Sequence, residues 1–519
     1  MADGRARHVN HTSPVFFPSF KVFLGIVLVV SSIAALLFLV EVRHLLHAAG
    51  DNVYPEATGV ASALRWAHGL PLYSSFQEPP YVLTAFPPLW YLCLRGAIQA
   101  GFRDPDSLTV FARGMSLAFL GALSLLAFFW HRRRGYTLGE SALGPILYLA
   151  FPALLPWAVS ARPDFPSLFF ALAALTTATL RPRADGALLA GFLAGLCFLL
   201  RHSCVAAPTA IGLSLLLSRR WREMLMLCLG WAVPVVTILW KFDAASNGAM
   251  RTSLSGSNFG SMRINNAHEI LTYLFTRAGY GFTGLLFAFG LLGLILAWKK
   301  SEDPAGRVLV FYFLLTLGLA GLGSSLAGAG ENHYLEPALA ASFLVPVGTA
   351  ELRKRWPSDS LLPAFLCLLV LVVWLPTLDL RHWQAADRRP ADFHELVALV
   401  ENRNVLTDIP YLAARTPSQE FLDATSLHYA EMVHRWSAAA VVRDLDAQLY
   451  DAVVLHDPLS RMDKEEGNDR YPRLGAVIRQ AIERNYGICY QRDSVSVYGR
   501  LFKEPSARQP VSCQSVSLQ

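Results

Sequence analysis

Apolar residues in this 519-residue chain come in long unbroken runs, not in the alternating or three-and-four spacing of soluble strands and helices. A helix that crosses a bilayer needs about 20 mostly apolar residues. Segments 20–41, 108–130, 139–160, 165–181, 187–202, 204–218, 224–241, 279–298, 306–328, 334–350 and 360–378 meet that need or come close to it. Charged residues make up 16% of the chain and hydrophobic ones 53%. A soluble domain carries about 25% charged residues. A soluble globular enzyme, a coiled coil and a disordered chain are therefore excluded. The expectation is an all-α polytopic membrane protein with about eleven transmembrane helices.

Orientation follows from the basic residues, because cytoplasmic loops collect Lys and Arg. Every second connection is short and basic: Arg5, Arg7 and Lys21, then Arg132–Arg134, Arg181 and Arg183, Arg219, Arg220 and Arg222, Lys299, Lys300 and Arg307, and Arg353–Arg355. The predicted arrangement is multi-pass in the plasma (inner) membrane, with the N-terminus cytoplasmic. The first run is too long for a cleaved signal and is followed by no small-residue cleavage site. The longer loops 42–107 and 242–278 and the tail then lie outside. Domain boundaries are expected at 1–378 for the membrane domain and 379–519 for the tail. The outer loop 42–107 contains two amphipathic stretches, Glu56–His68, ended by Gly69 and Pro71, and Leu89–Phe102, which fits the membrane surface.

The tail reads as a small extracytoplasmic α/β domain. Asn404–Asp408 and Ala452–His456 look like buried strands, Arg473–Asn485 like a helix, and Ile488–Leu501 like a hairpin. It contains no GxGxxG, P-loop or HExxH motif. The net charge of +6 comes without a basic stretch interleaved with aromatics, so no nucleic acid partner is expected. The seven cysteines include no CxxC. Cys489 and Cys513 lie in the outer tail, where a disulfide can form.

Ionisable residues beside membrane spans are costly to bury and so point to function. On the outer side these are Asp51 and Glu56 in GDNVYPEATG, Asp164 in ARPDFPS, and Glu331 and Glu336 in GENHYLEP. Arg113, Arg162, Arg201 and His202 join them on the same side. An arginine fork suits phosphate, and a nearby carboxylate suits general base work. Each residue also has a plain reading. Asp51 can be a solvated loop acid, Glu56 and Asp164 can cap helices, Arg201 and His202 can snorkel, and Glu336 can pair with an arginine. Gly191 and Gly195 form a GxxxG, most simply a packing face.

Three stretches together carry a resemblance: YPEATGVASALRWAHGLPLYSSFQEPPYVLTAFPPLWYL, ARPDFPSLFFALAAL and LLAGFLAGLCFLLRHSCVAAPTAIGLSLLLSRRW. In order and spacing they resemble the GT-C glycosyltransferases that use polyprenyl-phosphate sugars, such as protein O-mannosyltransferases and aminoarabinose transferases. The resemblance implies a GT-C-type membrane domain that moves a sugar, with inversion, to a lipid, glycan or protein acceptor at the outer membrane face. Counting back from Gly69, it assigns the catalytic carboxylate to Glu56, with Asp51 in reserve. It makes Asp164 a second acid that orients the site or helps hold a divalent metal cation, a requirement on which family members differ. It places the donor phosphate among Arg201, His202 and Arg162, and the substrate near Tyr73, His333, Tyr334 and Glu336. The rival classes are a secondary transporter and a non-catalytic envelope assembly protein. A transporter would carry its ionisable residues near the midplane and show inverted repeats.

Overall fold

The computed structural model describes residues 36–355, apart from 49, 54–55, 152, 257–263, 278–281, 299–303 and 327–328. In the tail it describes residues 396–398, and 403–500 apart from 417–419, 424–426, 428–429, 432–433, 457–458, 460–473 and 493–494. The expected span 360–378 and residues Cys367 and Cys513 lie outside the described residues.

The chain is an all-α polytopic membrane protein with a small α/β unit at its C-terminal end. Helix α1 covers 36–47. The first loop carries α2 (Glu56–Ala67) and α3 (Pro88–Gln99). Three helices among the described residues are long and apolar enough to cross a membrane: α4 (Pro105–Arg133), α10 (Trp221–Ala245) and α14 (Pro304–Ser324). Between them run α5 (Leu138–Leu149), α6 (Leu154–Ala158), α7 (Asp164–Leu180), α8 (Ala184–Leu200), α9 (Ala206–Leu217), α11 (Ala249–Gly256), α12 (Ile264–Thr272) and α13 (Phe282–Trp298). Helix α15 (Leu335–Arg355) follows a 3₁₀ turn at Glu331–Tyr334.

One expected span is corrected. Segment 139–160 is two helices: α5 ends at Leu149, capped at Ala150, and the short α6 starts at Leu154. The chain then turns at Ser160–Pro163 and starts α7 at Asp164. The pair Gly191 and Gly195 does pack a helix face: a Cβ on Gly191 would sit 2.2 Å from the Leu227 carbonyl of α10. Helix α3 is more than a surface helix, since Trp90, Tyr91, Leu94 and Ala97 are buried in a cluster with Val60 and Leu64 of α2 and Ala112 of α4.

The tail forms a four-stranded sheet in the order β1-β2-β4-β3. Strand β1 (Val405–Thr407) runs parallel to β2 (Ala452–Leu455); β3 (Tyr486–Arg492) and β4 (Val495–Arg500) are antiparallel. Helices α16 (Ala439–Asp446) and α17 (Ala476–Asn485) bury Val441, Leu445, Ile478 and Ile482 with Leu406 and Val453. Phe76, Tyr81 and Leu83 of the first loop enter the same cluster. Tyr81 donates a 2.5 Å hydrogen bond to Asp444, and the Trp436 indole donates one of 3.0 Å to the Phe76 carbonyl. Arg415 and Tyr411 both reach Asp106 at the start of α4. The tail thus rests on the first loop and fixes its position. Cys489 is bonded in a disulfide.

Candidate functional site

Glu56 is the first residue of α2 and is 1% exposed. Its Oε1 accepts from Arg113 Nε at 2.5 Å and from the Ala161 amide at 2.8 Å. Its Oε2 accepts from Arg113 Nη2 at 3.1 Å and from the Asn52 amide at 2.7 Å. Arg113 spends its other donors on the carbonyls of Leu45, Ala48 and Gly50. An ionised carboxylate offers about four lone-pair sites, and here all four are filled. A general base must reach a substrate proton. The expectation that Glu56 takes that proton does not fit this geometry: its carboxylate ties the first loop to α4 and to the turn before α7. The signal for Arg113 is its place near the outer end of α4, but the sequence does not reveal its partner.

Asp51 lies just before α2 and is partly exposed. Its Oδ1 accepts from the Ala57 amide at 3.0 Å. Burial, reinforced by the nearby negative charge of Glu56, pushes its carboxyl up to about 7. The side chain of its neighbour Asn52 donates to the Leu45 carbonyl at 2.9 Å and to the Val159 carbonyl at 2.5 Å. The loop that carries Asp51 is therefore docked on residues 159–161, immediately before the second acid. Asn52 has no motif that marks it in the sequence.

Asp164 is fully buried at the N-terminus of α7. Its Oδ2 accepts from Arg162 Nε at 3.0 Å, and its Oδ1 faces Arg201 Nη1 at 2.8 Å and Asn332 Nδ2 at 3.3 Å. Arg162 lies over the rings of Trp157 and Phe86, at 4.9 and 5.2 Å. Arg201 stands at the end of α8, where its amide bonds the Cys197 carbonyl at 3.0 Å. Glu336 also faces Arg201, so two guanidinium groups stand against two carboxylates and the formal charges balance. Each guanidinium has further N–H donors beyond those facing Asp164, so the pair can still donate to an anion. Asp164 does not fit a divalent cation, because both of its oxygens already face guanidinium groups. Among the described residues no three of His, Cys, Asp and Glu come together as a ligand set.

The remaining expected residues divide. His202 follows Arg201, and its Nδ1 is buried without a hydrogen-bond partner among the described residues. His333 lies beside the same charges, with its ring against Gly323. Burial and then the Arg201 charge push both imidazoles down to about 4, so both are neutral near pH 7. Glu336 faces Arg201 and Tyr312. Tyr73 and Tyr334 are packed away: each is 2% exposed, with the Tyr73 hydroxyl donating to the Phe86 carbonyl at 2.7 Å and the Tyr334 hydroxyl 3.1 Å from Ser324 Oγ. The structure thus brings Asp51, Asp164, Arg162, Arg201, His202, His333 and Glu336 to one end of the bundle. Asn332 is a member that sequence reasoning missed, although it stands within GENHYLEP.

No family model matches this chain, and no curated protein matches it. Solved structures do. ArnT from Cupriavidus metallidurans bound to undecaprenyl phosphate aligns at a TM-score of 0.57 and 12% identity, covering 93% of this chain and 99% of that one. The same protein in its apo state aligns at 0.56 and 13%, covering 92% and 98%. The S. cerevisiae protein O-mannosyltransferase Pmt1–Pmt2 complex bound to the sugar donor overlaps partially, at 0.31 and 16%, over 45% of this chain and 35% of that one. The near-complete mutual coverage shows that this chain shares the fold of ArnT, helices and tail together.

Proposed function

We propose that this GT-C-fold chain is a membrane glycosyltransferase that moves a sugar from a polyprenyl-phosphate donor to a hydroxyl of an envelope lipid, glycan or protein. The observation that carries the reading is the Arg162–Asp164–Arg201 cluster, whose two guanidinium groups adjoin the loop bearing Asp51. A structural neighbour that binds undecaprenyl phosphate supports the donor class. The basic-loop alternation supports a cytoplasmic N-terminus, with the site and tail on the outer face.

In this reading Asp51 takes the acceptor's proton, not Glu56. A base with a pKa near the working pH is the most effective, and Asp51 is pushed up to about 7. The freed oxygen attacks the anomeric carbon from the side opposite the phosphate. The bond from that carbon to the phosphate oxygen breaks, its electron pair stays on the phosphate, and the sugar inverts. Arg162 and Arg201 meet the charge that develops there, and Asp164 holds both in place. A transporter reading is less well supported, because Asp51 precedes its helix and Asp164 opens one, whereas transporters carry such groups near the midplane.

The test is mass analysis of envelope lipids and glycans from cells with and without the chain. A sugar modification that vanishes on deletion and returns with the wild-type chain, but not with Asp51→Asn, supports transfer. Unchanged glycans and lipids overturn it.

A further inference from the structure

A recess lies at the same end of the bundle, away from the Asp164 cluster. It is a cavity of about 750 Å³ between the first loop and the end of α10. Trp66, Leu72, Tyr73, Leu92, Ile238 and Phe242 give it apolar walls. Two cations line it, Arg95 from α3 and Lys241 from α10, and none of its lining residues is acidic. The Arg95 guanidinium lies 4.1 Å above the Trp66 ring, and Trp66 meets Phe242 edge-on at 5.9 Å. Neither Arg95 nor Lys241 makes an ion pair or side-chain hydrogen bond with a described residue, although four other arginines of this end, 113, 162, 201 and 415, are all paired.

The surface beside this recess is apolar and exposed. Val233 is 63% exposed and Trp240 72% exposed on the membrane helix α10. Val233, Thr237 and Lys241 follow one another at four-residue steps, so they form one stripe along that helix. The stripe starts on the exposed apolar surface and ends inside the cavity. A molecule that matches both halves has an acyl chain and an anionic head.

The geometry points to a binding site for an anionic phospholipid of the surrounding bilayer, its phosphate between Arg95 and Lys241 and an acyl chain along the Val233 stripe. The guanidinium donates a fork of hydrogen bonds to phosphate oxygens while its face stays on Trp66, and the ammonium adds a point charge. The ligand is a resident lipid, not the donor, because the Asp164 cluster is built from other residues. Its place against Trp66 and Phe242 ties α2 to α10.

The full chain, purified in detergent and passed into nanodiscs of phosphatidylglycerol with phosphatidylcholine, tests this by native mass spectrometry of retained lipid. A cation near a membrane surface contributes about 1 kcal/mol toward an anionic lipid, so Arg95→Gln and Lys241→Gln each weaken phosphatidylglycerol retention about fivefold. Phosphatidylcholine retention stays unchanged. Lys241 is exposed, so its variant keeps the test readable if Arg95→Gln misfolds. Equal phosphatidylglycerol retention in wild type and Lys241→Gln overturns the site. Displacement of the lipid by millimolar inorganic phosphate also overturns it, because the recess then holds a free anion. The readout is bound lipid and does not depend on glycosyl transfer.

Discussion

Glu56→Gln separates a structural carboxylate from a catalytic one. The substitution keeps the side-chain shape but replaces one acceptor oxygen with an NH2 donor. The wild-type carboxylate accepts four hydrogen bonds, two on each oxygen: Arg113 and Ala161 on one, Arg113 and Asn52 on the other. Whichever oxygen is replaced, the new NH2 faces two donors. Arg113 is 1% exposed and loses the carboxylate that both its Nε and Nη2 donate to. Breaking a buried pair from one side costs about 3–5 kcal/mol, because the remaining charge stays buried and uncompensated. The expected result is a clear drop in the thermal midpoint of the detergent-solubilised protein, read by tryptophan fluorescence. The double variant Glu56→Gln with Arg113→Met, which removes the stranded charge, recovers part of the loss. Asp51→Asn leaves the midpoint close to wild type or above it. A Glu56→Gln protein with wild-type stability and no transfer activity refutes the structural assignment and returns the base role to Glu56.

Transfer depends on pH through Asp51. With its carboxyl raised to about 7, the rate climbs roughly tenfold per pH unit below that value and levels above it; Asp51→Asn abolishes this limb, read from initial rates between pH 5 and 9. The same raised value has a stability sign: between the unfolded value near 4 and about 7 the native state holds the extra proton, so Asp51's contribution to stability falls as pH rises through that window and then stays flat. Arg201→Ala weakens donor use more than Arg201→Lys, and Lys still loses some, since it keeps the charge facing Asp164 but not the fork; equal wild-type KM for the donor in both variants removes Arg201 from the donor site. A reporter active only outside the cytoplasm is silent when fused near Arg133 and active when fused after residue 378; the reverse pattern turns the site toward the wrong compartment.

Much of the membrane domain was legible because a spanning helix is written in consecutive residues. The runs at 165–181, 187–202 and 204–218 coincide with α7, α8 and α9 to within a few positions. Segment 139–160 misled for a local reason: hydropathy sums across the whole run, but α5 ends at Leu149 and a separate short helix starts at Leu154. The tail strands were also readable, since the apolar pair Val405–Leu406 and the apolar run Ala452–Leu455 lie between polar neighbours. The partners of Glu56 were not readable: Arg113 lies 57 residues away along the chain, and the Ala161 amide farther still. Counting back from Gly69 measures position along α2, not contact across helices. The resemblance set Tyr73 and Tyr334 near the substrate; both side chains are 2% exposed. Arg162, Asp164 and Arg201 were all found as separate residues; their meeting on one carboxylate needed the fold.

The most direct measurement is single-turnover release of polyprenyl phosphate from a polyprenyl-phosphate sugar, by purified wild-type and Asp51→Asn protein in proteoliposomes with envelope lipid acceptors. The account predicts release with sugar transfer by the wild type. It predicts a fall of about 10²–10⁴-fold in the Asp51→Asn rate, the usual worth of a general base, with donor binding unchanged. Release by Asp51→Asn at the wild-type rate, while Glu56→Gln folds normally and releases none, would contradict it.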